Sequence, residues 1–483
     1  MAFSDSIRLH ARYRGDKPAL IEGTATWSYR TLDRAINGAC YALIARGVKR
    51  GDIVAIALSD TAQNLITQLA VSRLGAVILP VDVRWTEAEK LSVTKHFGAR
   101  FVLVDTKLSE AREGWIQTSP EWITETDRVY TDPEVGPDTP LVLSLSSGTT
   151  GMPKGPRASH RQYESRFSPY WIDMGLNARD VYVSATPLYY GGGRTFALAL
   201  LYAGATVHMF PPPYEPEELI AQVNRVGATA MFLVPTLLRR LLHASTPSLA
   251  FPTLKTLISS GSMLFMEERK EIKRRLTNNL IEFYSSTEGG AVSVLTPSDF
   301  DRHPDSVGRP CFRVDVEVVD AEHNPLPYGE IGRLRYRSPS SAQSYFMGES
   351  GDAFRDGWFY PGDLASFNSS GYLFLRGRSK DMIIRGGVNI YPADIERVLM
   401  DSPGVTDAAV VGVPSAEMGE EVVAFVVGAP PQGAAGLVAI CKERLARYKV
   451  PKAIYFLEAL PKNSFGKVLK NELAKRAEAL HRE

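Results

Sequence analysis

The sequence predicts an α/β protein: a large N-terminal domain of mainly parallel sheets covered by helices, a β-rich subdomain, and a small α+β C-terminal domain. Three observations carry that prediction. The chain has 483 residues, more than one hydrophobic core ordinarily serves. Its first part alternates strand-length apolar runs with amphipathic helical stretches. From Arg313 the texture changes to strands in which polar and apolar residues alternate.

Taken in order, Ile53–Leu58, Val77–Val81, Phe101–Val104, Val181–Ala185, Thr206–Phe210 and Ala230–Val234 are nearly continuous in apolar residues. Such strands are buried on both faces, as in parallel sheets. Gln63–Leu74 and Glu217–Val226 repeat with the helical period and supply the covering layer. Val314–Val319 and Arg333–Arg337 alternate, as antiparallel strands do when one face meets water. Tyr372–Leu375 leads into the charged turn Arg376-Gly-Arg-Ser-Lys-Asp381, and about 100 residues follow, enough for a small domain. The expected division is residues 1–377, a hinge at 378–381, and a second domain over 382–483. Ala429–Gly436 reads as a flexible surface loop.

Composition excludes several function classes. The formal net charge is +1, so no global basic field argues for nucleic acid or an anionic membrane. Cys40, Cys311 and Cys441 lie far apart, as free thiols in a reducing compartment do. The histidines contain no His-x-x-x-His pair, which leaves no zinc spacing. The first residues lack the apolar core of a signal peptide. The longest stretch without Asp, Glu, Lys or Arg, Thr195–Tyr214, contains Gly204, His208 and prolines, and reads as core rather than a membrane span. A cytoplasmic protein is the expectation.

Leu141–Leu145 reads as a short buried strand running into Ser146-Ser-Gly-Thr-Thr-Gly-Met-Pro-Lys-Gly155. Gly148 and Gly151 let the backbone curl so that successive N–H groups face inward, a nest that binds anions. Ser146, Ser147, Thr149 and Thr150 add hydroxyl donors, and Lys154 supplies a point charge suited to phosphate. A nucleoside triphosphate suits such a loop. It is not the Walker loop, in which Gly precedes Lys and Ser or Thr follows it.

Further segments look ordinary when taken singly: Ile258-Ser-Ser-Gly-Ser262, Tyr284-Ser-Ser-Thr-Glu288, Gly357-Trp-Phe-Tyr-Pro-Gly-Asp363, Gly371-Tyr-Leu-Phe-Leu-Arg-Gly-Arg378, Ile384-Arg-Gly-Gly-Val-Asn-Ile-Tyr-Pro392 and Pro461-Lys-Asn-Ser-Phe-Gly-Lys467. Together with the loop and Ser159-His160 after it, they resemble in order the motifs of the adenylate-forming superfamily. Its members include acyl- and aryl-CoA synthetases, luciferases and the adenylation domains of peptide synthetases. The resemblance covers roughly residues 20 to 470.

That resemblance implies roles residue by residue. Ser260, Gly261, Ser262, Tyr284 and Ser285 would line the adenine pocket, with Tyr284 stacking on the base. Thr287 would contact the α-phosphate, and Glu288 would hold Mg2+ as a hard carboxylate. Asp363 would accept from both ribose hydroxyls, and Arg378 would reach ribose and phosphate. Lys380 would be the hinge. Gly386 and Gly387, with Lys449, would lie along the path of a pantetheine arm. Lys467 would be the mobile catalytic lysine that bridges the substrate carboxylate and the α-phosphate.

The implied reaction is carboxylate activation by Mg·ATP to an acyl-adenylate, then transfer to a thiol, with ATP and coenzyme A as co-substrates. The acyl pocket falls on Tyr190, Gly191 and Arg194, with Phe232 and Ser259. Tyr190 replaces the family's usual histidine, Ser285 replaces a glycine at the pocket floor, and Gly191, Gly192 and Gly193 are expected to open another side. Arg194 could pair with a second carboxylate on the substrate, cap a helix, or reach solvent. No acid lies between Val181 and Phe210, which disfavours an α-amino acid and leaves an apolar monocarboxylic acid, aryl or medium-chain. A carrier-protein phosphopantetheine is the alternative acceptor. An inactive nucleotide-binding protein is the alternative of another class, and Lys154, Glu288, Asp363, Arg378 and Lys467 together weigh against it.

Overall fold

The computed structural model describes residues 3–145, 154–244, 249–262, 264–346, 351–415, 417–462 and 468–482. The apolar runs form strands at Ile53–Ala57, Val77–Pro80, Phe101–Val104, Val181–Ser184, Thr206–Met209 and Ala230–Leu233, with helices Ala62–Arg73 and Pro216–Arg225 between them. Thr206–Met209, Val181–Ser184, Ala230–Leu233, Thr256–Ser259 and Leu280–Ser286 lie side by side in parallel within one sheet. A second sheet runs Trp115–Gln117, Phe101–Val104, Ile53–Ala57, Val77–Pro80, Pro140–Leu143, Arg157–Ser159. The C-terminal ends of the first sheet's strands release the loops that build the site, where open α/β sheets place their ligands.

The β-rich part follows the predicted alternation. Asp315–Val319 pairs antiparallel with Gly332–Arg337, setting Glu317 opposite Arg335 and Asp315 opposite Arg337. Those charges meet at 2.5 and 2.9 Å on the wet face. Val318 and Leu334 bury the other face against Ala365 and Leu373. The same sheet takes in Asp363–Phe367 and Leu373–Arg378.

After a short 3-10 turn at Ser379–Asp381, Ile383–Arg385 opens a separate sheet with Val388–Ile390, Val405–Ser415, Gly419–Gly428 and Ala453–Leu457. Gly386 and Gly387 connect its first hairpin at φ 58° and 80°, the left-handed pair that a two-residue turn of the primed type requires. Helices Pro392–Met400 and Gly433–Arg444 cover one face through Ile395, Val398, Leu437 and Cys441. Leu473 and Ala477, from the helix Lys470–Arg482, cover the other. The expected loop Ala429–Gly436 is thus cut short, because a helix starts at Gly433. The poor helix propensity of Gly433 and Gly436 hides it, whereas burial of Leu437 and Cys441 enforces it.

All three cysteines are free and buried. No helix among the described residues is long and apolar enough to cross a membrane. The charge-free stretch 195–214 divides between the helix Gly191–Ala203 and the strand Thr206–Met209.

One buried ion pair ties the N-terminal helices together. Arg73, 2% exposed, donates from Nη2 to Asp33 Oδ1 at 2.6 Å and to the Ser4 carbonyl at 3.1 Å, and from Nη1 to Asn37 Oδ1 at 2.8 Å. Removing one member strands the other's charge, at about 3–5 kcal/mol. Arg73→Met should lose about that much stability in urea unfolding, and Arg73→Met with Asp33→Leu should recover much of it. An Arg73→Met loss below about 1 kcal/mol would contradict the assignment.

Candidate active site

A cavity of about 640 Å³ opens at the strand ends. One wall is the strand Leu280–Ser286 and the turn after it. The Tyr284 hydroxyl donates to Asp363 Oδ2, and Arg378 Nε pairs with Asp363 Oδ1 at 2.9 Å. Asp363 and Arg378 also sit opposite each other in adjacent strands, and Arg378 Nη1 donates to the Pro361 carbonyl at 2.6 Å. Burial, then the Asp363 charge, drives the Tyr284 phenol far above its ordinary pKa, so it remains a donor.

Glu288 is 8% exposed and accepts from the Tyr345 hydroxyl at 3.0 Å. Lys154 Nζ lies 4.9 Å from the centre of the same Tyr345 ring. Arg166 holds the turn from behind, donating from Nη2 to the carbonyls of Thr287 at 3.0 Å and Glu288 at 3.3 Å. Ser286 Oγ meets the Tyr336 hydroxyl and accepts from the Gly289 N–H at 3.0 Å. The loop conformation is therefore fixed by side chains distant in sequence.

The other end is aromatic. Tyr190 lies parallel to Phe232 at 6.5 Å, Phe232 stacks on Phe196 at 4.9 Å, and Phe196 on Tyr170 at 4.2 Å. The Tyr190 hydroxyl closes over Gly261, where a Cβ would lie 2.7 Å from it. Gly192 and Gly193 do not open the side that the sequence suggested. A Cβ on Gly192 would meet the Phe232 ring at 2.5 Å, and one on Gly193 the Pro187 carbonyl oxygen at 2.3 Å. These glycines admit a close approach of ring and backbone, and of the three only Gly191 faces open space. Ser285 Oγ shares a hydrogen bond with Ser260 Oγ at 3.1 Å.

Lys154, Gly261, Tyr284, Ser285, Thr287, Glu288, Asp363 and Arg378 thus border one cavity with Tyr190, Gly191, Arg194 and Lys380. Phe232 forms the layer behind Tyr190, while Ser259 is buried in its strand and Ser262 is exposed beyond Gly261. Ser146, Ser147, Gly148, Thr149, Thr150, Gly151 and Lys467 lie outside the described residues. Gly386 and Gly387 are exposed at their hairpin tip, and Lys449 donates to Asp394 Oδ2 at 2.5 Å. None of these three borders the cavity.

Sequence reading missed Arg166, Tyr345 and Tyr336, whose partners are remote along the chain. It also missed the reason for His160. That ring is buried, accepts from the Phe3 N–H at 2.8 Å, and is held neutral by burial, its pKa lowered to about 4.

Residues 7–346 match the AMP-binding enzyme family, and residues 394–467 match the AMP-binding enzyme C-terminal domain. The chain belongs to the AMP-binding enzyme family. Among members of that family, an indoleacetate–CoA ligase from Aromatoleum aromaticum is 32% identical over 98% of each chain. The fatty acid–[acyl-carrier-protein] ligase ScoC from Streptomyces coeruleorubidus is 30% identical over 97% of this chain and 95% of its own. ATP-bound MatB from Rhodopseudomonas palustris superimposes with a TM-score of 0.90 at 28% identity, over the whole of both chains.

For an AMP-binding enzyme, a metal requirement can be tested against the residues present. Among the described residues no group of three or more His, Cys, Asp or Glu could hold an ion alone. A single buried carboxylate, Glu288, fits Mg2+, which keeps waters and arrives on phosphate rather than in a protein cage.

Asp60 braces the turn that precedes the helix Gly191–Ala203, accepting from the Leu188 N–H at 2.6 Å. Burial, reinforced by the Asp82 charge, lifts its pKa to about 6. The native state therefore holds this proton more tightly than the unfolded chain does. Stability is lost as pH rises from about 4 through 6, and stays lower above. Asp60→Asn keeps an acceptor for Leu188 without the charge. It should match wild type near pH 4 and exceed it by about 2–3 kcal/mol at pH 7.5 in urea unfolding. A difference independent of pH would rule out this assignment.

Proposed function

We propose that this AMP-binding enzyme is an ATP-dependent carboxylic acid–CoA ligase whose acid has a flat apolar body. The observation that carries the reading is the continuity of one cavity from the Tyr284–Asp363–Arg378 cluster to the aromatic wall at Tyr190. Asp363, an acceptor paired with Arg378, suits ribose hydroxyls, and Tyr284 gives a face for the base. A substrate carboxylate between Thr287 and Tyr190 would attack the α-phosphorus. A P–O bond forms, the bond to pyrophosphate breaks, and pyrophosphate departs with the electron pair. A thiolate then attacks the acyl carbon, forming C–S as C–O to AMP breaks. Neither displacement needs a general base on the acid, so positioning and charge neutralisation carry the rate. Magnesium on the triphosphate, with Glu288 as its protein ligand, would add positive charge where phosphate oxygens gain negative charge.

Lys467 is our candidate for the cation that bridges carboxylate and α-phosphate during adenylation. Lys467→Ala should cut acid-dependent ATP–pyrophosphate exchange about 10² to 10³-fold, the effect of losing one well-placed electrostatic contact. Transfer of a supplied acyl-adenylate to thiol should survive. Equal loss in both half-reactions would mark the lysine as structural. With CoA and a phosphopantetheinylated carrier offered in parallel, CoA should be the better acceptor. A carrier preference, which the resemblance to ScoC keeps open, would replace CoA in this reading.

Domain rotation about Ser379–Asp381 is proposed to exchange Lys467 for the Gly386–Gly387 hairpin beside the acyl-adenylate, with Lys449 near the incoming thiol's carrier arm. Lys380 borders the cavity and is exposed at the centre of that turn. Proline there fixes φ. In single-turnover measurements Lys380→Pro should keep adenylation within about tenfold while thioester formation falls far more. Survival of both steps would remove the pivot from this residue.

A further inference from the structure

Among the described residues two buried arginines border the cavity and pair with no carboxylate, Arg194 beside Tyr190 and Arg166 behind the Thr287–Glu288 turn. Arg194 is 2% exposed and Arg166 is 7% exposed, and both border the cavity. Arg194 Nη1 donates to the carbonyls of Leu188 at 3.1 Å and Tyr189 at 3.3 Å. Arg166 is anchored through Nη2 on Thr287 and Glu288. The Nε of each is buried without a partner among the described residues, and no hydrogen bond there engages Arg194 Nη2 or Arg166 Nη1.

Both side chains border the same cavity. Burial first, and Arg194 in addition, pull Arg166 below the usual guanidinium range. Arg194 also stands in the first turn of the helix Gly191–Ala203, whose N-cap Tyr190 makes no side-chain capping bond. A cation at a helix N-terminus is unfavourable, and an anion there is favourable. Guanidinium is always ionised in a protein, and a buried charge left unpaired is costly. Three features of one spot therefore ask for negative charge.

We propose that the acid substrate carries a second carboxylate, which pairs with Arg194 where that side chain borders the cavity. This rests on the reading of the cavity as the site of acid activation, and it replaces the monocarboxylic acid that the sequence suggested. The alternatives raised for Arg194 do not fit. Its Nη1 bonds go to turn carbonyls at Leu188 and Tyr189 rather than to a helix end, and it does not reach solvent.

The test is acid-dependent ATP–pyrophosphate exchange with matched pairs: phenylacetic acid against its ortho-, meta- and para-carboxy derivatives, and hexanoic against hexanedioic acid. At least one diacid should exceed its partner in kcat/KM by roughly ten- to hundredfold, the value of a charge-assisted hydrogen-bond pair. Arg194→Met should abolish that preference, bringing the diacid-to-monoacid ratio of kcat/KM measured in the same variant to about one or below. Because it also removes an unpaired buried charge, it should raise Tm in the absence of ligand. A lower Tm with both acids slowed alike would make Arg194 a brace for the Leu188 and Tyr189 carbonyls and overturn the proposal. So would exchange with monoacids that no diacid surpasses. Exchange with no acid at all would instead overturn the ligase reading on which it rests.

Discussion

The Asp363–Arg378 ion pair is the constraint to which the rest of the site is fitted. Both residues lie in paired strands of the β-rich sheet, while the third partner, Tyr284, comes from the large parallel sheet. A carboxylate only 8% exposed must have its charge met locally, so the cluster locks the two sheets into one register. Arg378 also ends its strand immediately before the Ser379–Asp381 turn. The link to the C-terminal sheet therefore leaves from a pinned point inside the nucleotide end of the cavity. The proposed rotation about that turn would therefore move the C-terminal sheet while the Asp363–Arg378 end stays anchored.

The fold was legible where the burial pattern repeats locally. Continuous apolar runs such as Val181–Ser184 announce a strand covered on both faces, and Glu317 opposite Arg335 is visible as alternation before any pairing is known. It was illegible where burial overrides propensity, as in the helix that begins among glycines at Gly433. Candidate residues carried by short motifs, such as Tyr284, Glu288 and Asp363, stand out in the sequence because local chain fixes them relative to their neighbours, and the fold brings them to one cavity. Arg166 was not. It acts on Thr287 and Glu288 more than 100 residues away, and a single arginine in a helix end has many ordinary explanations. Tyr345, which reaches Glu288 across a similarly unmarked gap, left no pattern to read.

The glycines of 191–193 show how one composition supports opposite geometries. In sequence they read as removed bulk, hence as space. In the fold two of them are where other groups come closest, Phe232 on Gly192 and the Pro187 carbonyl on Gly193. Absence of a Cβ signals either a void or an intimate contact, and only the neighbours decide between them. Here the contact sets an aromatic wall against the start of the helix that carries Arg194, which borders the cavity.

Charge is distributed unevenly along the cavity, and Tyr190 makes sense in that light. At the nucleotide end carboxylates are matched: Asp363 by Arg378, Glu288 by the Tyr345 hydroxyl. Arg194, beside Tyr190, and Arg166, behind the Thr287–Glu288 turn, pair with no acid among the described residues. An imidazole at position 190 could add a third positive charge there, raising the cost of burying the other two. A phenol gives a comparable flat surface for stacking on Phe232 and a donor that stays neutral, since burial raises its pKa. The departure from the family's histidine and the unmatched arginines are then one arrangement, in which cations are held for an incoming anion and the surrounding wall adds none of its own.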